Sequence, residues 1–517
     1  MTSKRKCVVC LLPVLLILAG VAWYAIPRVF GLRRPVRRII LISIDTCRAD
    51  YIGCYNPDRR ITPNIDAFAQ QATLFENART PVPITLPAHC SMLTGLVPPT
   101  HGVRSQPGSK LSRSHRTLAS VLRGREYSTG AIVSSFVLNA PLGLEQGFDS
   151  FNNVPTIAEP GLQINERRGQ ETSGIAIQWL GQHKDDKKFF LFLHYYDPHL
   201  LYNAPPPFAD HFGPDDRQQY AAEIAYVDYC IGKVFDELKR LELYDDSLII
   251  VTGDHGEMLG EHGEAGHQYF IYESALRVPL IVKLPGQREA RRVPEVVGLI
   301  DIMPTVCSLA RLHETPPVDG VDLMPLLVGE DWPSELAQRD LYCESVVPYA
   351  FGASPLFGQV GSRWKYIKSP RSELYDLQAD PGENANLLSP EIVTDPQELQ
   401  AYQMRARAME DPIRLALART LGVDASSPSE ETLRRMASLG YVGGSAEVEF
   451  EFVQTRKDAK DTLGIYNKAE EAVWLIAAGK KDQALVILEA LVREHPDLKT
   501  AQSMLAILRK EASQHDE

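Results

Sequence analysis

Residues 38–45 read RIILISID, an almost unbroken apolar run that ends in a carboxylate. Two later runs, FFLFLH at 189–194 and LIIVT at 248–252, are likewise followed by Asp and His side chains. Short runs that are apolar on both faces are typical of strands buried in a parallel sheet, and the carboxyl ends of such strands meet at one edge. The sequence therefore predicts a sheet edge where polar side chains gather, namely those of Asp45, Asp197, His199, Asp254 and His255.

Segments with helical periodicity lie between these strands. In residues 220–241, for example, Ile224, Val227, Ile231 and Val234 recur on one side of a helix. The alternation of strand and helix predicts an α/β fold with a mainly parallel central sheet flanked by helices.

The remainder of the chain predicts smaller units around this sheet. Short strand-like pieces such as WKYI at 364–367 indicate a small strand-rich C-terminal lobe, and residues 466–508 indicate an α-helical tail. We therefore divide the chain into an N-terminal membrane anchor with a basic flank (1–37), the main α/β domain (38–325), the small lobe (326–390), a connector (391–454) and the helical tail (455–517).

The N-terminal prediction rests on an apolar run from Cys7 to Ile26 with Lys and Arg on both sides. This run is long enough to span a bilayer, and Ala22-Trp23-Tyr24 does not supply the small residues of a cleavage site. An uncleaved single-pass anchor is therefore expected. Basic residues are more numerous after the run, which by the positive-inside rule would keep the rest of the chain in the cytoplasm.

Composition excludes one class of partner. The formal net charge of the 517 residues is -12, and no basic stripe follows residue 38, so no nucleic-acid partner is expected. The eight cysteines show no regular spacing and predict neither a disulfide framework nor a zinc knuckle.

The most distinctive segment reads TLPAHCSMLTG over 85–95 and continues as PPTHGVR over 98–104. It resembles the signature of the sulfatase family of the alkaline phosphatase superfamily, in which the nucleophile precedes x-Pro-Ser-Arg, a Leu-Thr-Gly turn and a His-Gly pair. The resemblance implies an exported hydrolase of sulfate or phosphate esters, with the catalytic domain outside the cytoplasm. It extends over residues 38–390 through SIDTCRADYIGCY at 43–55, TPNID at 62–66, GFD at 147–149, DHGE at 254–257, RVP at 277–279 and LYDL at 374–377.

The sequence departs from the sulfatase pattern at the nucleophile, where Thr85 stands in place of cysteine or serine. The Cβ of threonine carries a methyl group, so Thr85 cannot become formylglycine. Threonine in Thr-x-Pro-x-His resembles instead the nucleotide pyrophosphatase/phosphodiesterases of the same superfamily. His89 stands where the signature arginine would lie, and His267 follows Gly266 where sulfatases often have Gly-Lys.

A divalent metal ion is predicted to bind Asp45, Asp254, His255 and the hydroxyl of Thr85. Mixed carboxylate, imidazole and hydroxyl ligands suit zinc, manganese, iron or magnesium better than calcium, and such an ion activates a hydroxyl and neutralises an oxyanion. Thr85, His89, His199 and His267 are the predicted catalytic residues, with His199 and His267 as candidates for the general acid and for oxyanion contacts. One metal is favoured, although His194, Asp197, His199, His262 and His267 leave a second site open.

Two alternatives remain to a sulfatase-type hydrolase of sulfate or phosphate esters. The same residues could serve a phosphodiesterase or a transferase that moves a phosphoryl-bearing group to an envelope lipid or glycan. The chain could also be a catalytically weak scaffold tethered to the membrane.

The helical tail resembles one tetratricopeptide unit. One unit cannot bury its own face, so the tail is expected either to dock on the catalytic body or a second chain, or to form part of a peptide-binding array. A protein partner or self-association through these helices is therefore left open. The positions that carry the resemblance are Ala472, Gly479, Ala484, Leu488, Leu491 and Pro496.

Overall fold

A computed structural model describes residues 34–105, 109–154, 166–312, 314–419 and 454–515. The predicted membrane anchor and most of the predicted connector lie outside these ranges. Across the ranges that are described, no helix is both long and apolar enough to cross a bilayer.

The fold is built on a twisted sheet with a smaller sheet beside it. The strands are β1 (Arg38–Ile44), β2 (Thr73–Arg79), β3 (Ser128–Ile132), β4 (Ser150–Asn152), β5 (Phe189–Tyr195), β6 (Ser247–Gly253), β7 (Met258–Leu259), β8 (Ala265–Gly266), β9 (Leu280–Lys283), β10 (Arg291–Gly298), β11 (Leu341–Ser345), β12 (Leu356–Val360), β13 (Trp364–Lys368) and β14 (Glu373–Asp376).

Among the described residues, eight strands form the main sheet in the order β10-β2-β9-β6-β1-β5-β3-β4. Only β9 runs antiparallel to its neighbours β2 and β6, so the predicted mainly parallel sheet is confirmed. At its centre, Ile44 of β1 pairs with Tyr195 of β5 and with Gly253 of β6. The three strands therefore end at the same level, and the residues that follow them meet at one edge.

Helices cover both faces of this sheet. Ile39 and Leu41 of β1 enter the core on one face, whereas Ile40 and Ile42 enter the core on the other. This alternation explains the unbroken apolar run, since every side chain from Ile39 to Ile44 is buried. The helices are α1 (Pro63–Ala69), α2 (Thr85–Thr94), α3 (Pro98–His101), α4 (Leu118–Arg123), α5 (Gly169–His183), α6 (Asp216–Arg240), α7 (Glu273–Leu276), α8 (Ile302–Leu309), α9 (Met324–Val328), α10 (Ser334–Ala337), α11 (Pro396–Ala408), α12 (Glu410–Leu417), α13 (Ala459–Ala477), α14 (Lys481–Glu494) and α15 (Lys499–His515).

The small lobe and the helical tail also take the predicted form. Strands β11 to β14 form an antiparallel sheet, and Ile413 and Ala416 of α12 pack on it beside Phe357. The tail consists of α13, α14 and α15. Its likeness to a tetratricopeptide unit stays a prediction.

The first helix of the tail docks on the main domain. The Tyr466 ring stacks on Tyr269 at a centroid distance of 4.5 Å, and its hydroxyl donates to the carbonyl oxygen of His267 at 2.6 Å. A second contact joins the Tyr269 hydroxyl to Thr462 Oγ1 at 2.6 Å. Because Tyr466 is 1% exposed, α13 shares a core with the domain that bears the sheet edge.

We expect Tyr466→Ala to lower the free energy of unfolding by about 3–5 kcal/mol, as buried aromatic truncations do. Urea unfolding followed by fluorescence measures the change. Val486→Ala in α14 is the control, because Val486 is 68% exposed and its truncation should shift stability by less than about 0.5 kcal/mol. Equal midpoints for Tyr466→Ala and the wild type would mean that the tail is not docked in solution.

Candidate metal centre and active site

The sheet edge brings together four of the predicted site residues. Asp45 directly follows β1, Asp254 and His255 directly follow β6, and Thr85 is the first residue of α2. All four are buried with no measurable exposure. The register of the central strands therefore places the two carboxylates and the imidazole side by side.

Each carboxylate has one satisfied and one unsatisfied oxygen. His194 Nε2 donates to Asp45 Oδ2 at 3.0 Å, and the backbone N–H groups of Thr46 and His255 donate to Asp254 Oδ1 at 3.1 and 2.7 Å. Thr46 has a φ of 50°, a left-handed conformation that turns its N–H toward Asp254. No described residue forms a hydrogen bond with Asp45 Oδ1 or Asp254 Oδ2.

His255 directs a lone pair at these two oxygens. Its Nδ1 donates to the carbonyl oxygen of Gly256 at 2.9 Å, so Nε2 is the unprotonated nitrogen. That nitrogen lies 3.4 Å from Asp254 Oδ2, 3.8 Å from Asp45 Oδ1 and 3.3 Å from Thr85 Oγ1. A side chain on Gly256 would collide with the chain, because its Cβ would lie 2.0 Å from Ser274 O.

The donor set fits a divalent cation. Burial raises the pKa of Asp45, and the charge of Glu257 adds to the rise. Burial likewise raises the pKa of Asp254, with a further contribution from Asp45. Two buried carboxylates that disfavour each other's ionisation are stabilised by a bound cation. Within the described ranges, Asp45, Asp254 and His255 form the one group of three or more acidic, His or Cys residues whose ligand atoms all lie within 4.8 Å of one another.

Thr85 starts α2, whose sequence suits a helix beginning at this point. Pro87 lies in the first turn, where its missing N–H costs no helical hydrogen bond, and Gly95 ends the helix with a φ of 71°. The Thr85 hydroxyl hence lies at the positive end of the helix dipole.

His89 lies one turn along α2 and contacts the backbone of Thr85. Its Nδ1 donates to the carbonyl oxygen of Thr85 at 2.7 Å, and the Ser43 hydroxyl donates to its Nε2 at 2.9 Å. Burial and the nearby His194 hold the pKa of His89 well below its usual value. Both ring nitrogens of this neutral imidazole are thus engaged with the protein.

The His267 ring packs against His255, and the His199 ring packs against His267. The His267 ring lies 4.5 Å from the His255 ring and 4.9 Å from the His199 ring, measured between centroids. His267 Nδ1 donates to Glu257 Oε1 at 3.2 Å, whereas its Nε2 has no hydrogen-bond partner among the described residues. His199 Nδ1 donates to the carbonyl oxygen of Leu200 at 2.6 Å. Burial lowers the pKa of His267 to about 3, so this imidazole is neutral.

The residues considered for a second metal do not gather at one point. His194 is engaged by Asp45, and Asp197 Oδ1 accepts from the backbone N–H of Gly169 at 3.0 Å. His262 stacks on Tyr272 at 3.6 Å between ring centroids. The described part of the chain therefore groups ligands for one ion, while a second ion stays a hypothesis.

The profile of the sulfatase family matches residues 37–312, more than half of the chain, and that of the N-sulphoglucosamine sulphohydrolase C-terminal region matches residues 260–409. The chain belongs to the sulfatase family. The expectation that it is an ester hydrolase is thereby confirmed.

Curated relatives and solved structures agree with this family. The chain is 25% identical over 410 residues to the ulvan-active sulfatase of Formosa agariphila, across 70% of this chain and 79% of that protein. It is 25% identical over 470 residues to the multifunctional alkaline phosphatase superfamily protein PehA of Trinickia caryophylli, across 68% and 91%. The phosphonate monoester hydrolase of Agrobacterium radiobacter superimposes with a TM-score of 0.62 at 23% identity, covering 74% and 96% of the two chains, which supports the fold.

Three contributors to this sulfatase-family site were not assigned a role from the sequence. Ser43 lies two residues before Asp45, so alternation along the strand places both side chains on the same face of the sheet. This spacing could have identified Ser43 as a site residue. Glu257 completes the DHGE motif and could have been suspected from its position. Tyr466 had no local signal, because it lies 199 residues from His267, its hydrogen-bond partner.

We expect the purified protein to bind one equivalent of zinc or manganese, and Asp254→Asn to weaken this binding at least about 100-fold, because a ligand oxygen is lost. Inductively coupled plasma analysis measures the metal content, and calorimetric titration measures the metal affinity. Asp228→Asn is the matched control, since Asp228 is a buried carboxylate held by Asn64 and Ile65 away from the centre. Equal metal affinity in both variants would exclude Asp254 as a ligand.

Proposed function

We propose that the chain is a metal-dependent hydrolase of phosphate, phosphonate or sulfate esters in which Thr85 Oγ1 is the nucleophile. The observation that carries the proposal is the position of this hydroxyl at the start of α2, 3.3 Å from His255 Nε2 and beside the unpaired oxygens of Asp45 and Asp254. A hydroxyl at the positive end of a helix, next to a cation site, is placed to lose its proton and attack.

The metal would be held by Asp45, Asp254, His255 and Thr85. When bound, such an ion supplies Lewis acidity that favours the ionised hydroxyl and offsets the charge of the ester oxyanion. Zinc, manganese, iron and magnesium all suit this mixed ligand set, and calcium suits it less well.

The chain's own residues then carry the reaction in two halves. Thr85 Oγ1 forms a bond to phosphorus or sulfur as the bond to the alcohol oxygen breaks, and the alcohol leaves with a proton. Water then attacks the same atom, which releases the acid and restores the Thr85 hydroxyl. His199 and His267 lie beside His255, where neutral imidazoles can pass protons and contact the oxyanion.

His89 acts on Thr85 as a positioning residue in this proposal. Its Nδ1–H holds the Thr85 carbonyl oxygen while Ser43 holds its other nitrogen. Since α2 begins at Thr85, this contact fixes the first turn of the helix and with it the direction of the hydroxyl.

Threonine favours phosphorus esters over sulfate esters. A phosphothreonine can be attacked by water at phosphorus, whereas a threonine sulfate lacks the elimination route that a formylglycine hydrate provides. Sulfate ester hydrolysis is the second candidate, and the sulfatase family match supports it.

The remaining expectations form part of the same proposal. An N-terminal anchor would tether the catalytic domain to the membrane on the extracytoplasmic side. Transfer of a phosphoryl-bearing group to an envelope lipid or glycan would use the same residues and differ only in the acceptor. The intact set of Asp45, Asp254 and His255 argues against a catalytically weak scaffold, because a decayed site has no physical need for two buried carboxylates.

We expect Thr85→Ala to lower kcat at least about a thousandfold, the order of loss seen when a nucleophile is removed. Metal content should stay largely intact, because Asp45, Asp254 and His255 remain. Thr85→Ser should retain measurable turnover. Thr100→Ala serves as the control, since the Thr100 hydroxyl has no hydrogen-bond partner within the described ranges. Undiminished turnover by Thr85→Ala would refute the assignment of Thr85 as the nucleophile.

Matched aryl esters identify the reacting atom. We expect kcat/KM for the best phosphorus ester to exceed that for the aryl sulfate at least about tenfold, a difference of about 1.4 kcal/mol in the barrier. The assay uses a sulfate, a phosphate monoester, a phosphate diester and a phosphonate with zinc, manganese, magnesium or calcium. A preference for the sulfate would establish the second candidate instead.

A further inference from the structure

A small cavity lies beside the candidate active site, on the side where the tail docks. Its volume is about 30 Å³, room for roughly two water-sized groups. The main domain contributes Tyr196, His199 and His267, and α13 contributes Glu470 and Trp474. The tail therefore supplies one wall of a space that the sulfatase-family domain alone would leave open.

Glu470 is the unusual member of this wall. It is 7% exposed, and within the described ranges its carboxylate forms neither a hydrogen bond nor an ion pair. Burial raises its pKa to about 8, and the nearby charges of Glu264 and Glu257 contribute to the rise. The carboxyl group of Glu470 is therefore mostly protonated at neutral pH, and a cation in the cavity would stabilise its ionised form.

The other walls suit a cation as well. Tyr196 and Trp474 present aromatic rings, which attract cations through their quadrupole. The rings of His199 and His267 complete the wall contributed by the main domain. No wall residue among those described is a Lys or an Arg, so no basic side chain of the cavity pairs with Glu470.

The cavity is also close to the reacting atoms. His267 lines it and lies 4.5 Å from the His255 ring between centroids, so one imidazole separates the cavity from the metal centre. A group in the cavity would thus be joined to the ester by a short linker.

We propose that Glu470 is a specificity-determining residue, and that the cavity it shares with Trp474 and Tyr196 takes the primary ammonium group of an aminoalkyl alcohol in the ester substrate. The inference rests on the proposed function and adds the substrate class. A primary ammonium fills the volume of about 30 Å³, whereas a trimethylammonium group, with its three methyl groups, exceeds a space for roughly two water-sized groups.

The test compares three phosphonates that differ only in the terminal group: 3-aminopropylphosphonate, propylphosphonate and 3-(trimethylammonio)propylphosphonate. Calorimetry on the full chain with zinc or manganese gives each Kd. We expect the primary amine to bind at least about tenfold tighter than the propyl compound, as a desolvated ion pair with an aromatic contact provides. Trimethylation should remove the advantage.

Glu470→Gln should bring the ratio of the amine and propyl Kd values close to one. Glu471→Gln is the matched control, because Glu471 is the next residue of the same helix and is exposed. That variant should keep the wild-type ratio. Equal binding of the amine and propyl compounds by the wild type would overturn the inference, as would an undiminished ratio in Glu470→Gln or equal binding of the trimethylated compound.

Assays of ester hydrolysis distinguish a failure of this inference from a failure of the proposed function on which it rests. Hydrolysis of aryl phosphate or phosphonate together with equal binding of amine and propyl compounds refutes the ammonium subsite alone. Failure to hydrolyse any ester and to bind any of the three phosphonates refutes the proposed function, and the inference with it.

Discussion

Two buried carboxylates, those of Asp45 and Asp254, approach the same imidazole with one oxygen of each unpaired. Such an arrangement is unfavourable by itself, because each charge is removed from water and each raises the cost of the other. It persists because β1 and β6 are paired in register and end at the same level. The surrounding polar groups follow from this constraint. Backbone N–H groups and His194 hold the outer oxygens, which leaves the inner ones aimed at a common point.

Much of the fold could be predicted from local sequence. The apolar run of β1 indicated a strand buried on both faces, and the structure places its alternate residues in two separate cores. The position of Asp45 and Asp254 at strand ends followed from the same reasoning, since parallel strands share a carboxyl edge. The one antiparallel strand of the main sheet, β9, was not foreseen, because a short apolar run carries no information about its direction.

The site could be predicted less completely, for a physical reason. Ligands on strand ends are fixed by the strands themselves, whereas their supporting contacts come from remote parts of the chain. His194 was noted as a candidate for a second ion, yet it donates to Asp45. His89 was taken as a catalytic group, and its ring contacts Ser43 and the Thr85 backbone. Which nitrogen of an imidazole faces inward depends on such contacts and cannot be read from the residue type.

The docking of α13 has a consequence for biosynthesis. The Tyr466 hydroxyl reaches a carbonyl 199 residues earlier in the chain, and the same helix forms a wall of the cavity beside the metal centre. At translation rates of roughly 5–20 residues per second, the sheet edge would leave the ribosome on the order of tens of seconds before that wall exists. The pocket stays open on one side until α13 has been made. A chain that terminates before residue 459 would lack the wall, so the completed pocket distinguishes finished chains from interrupted ones.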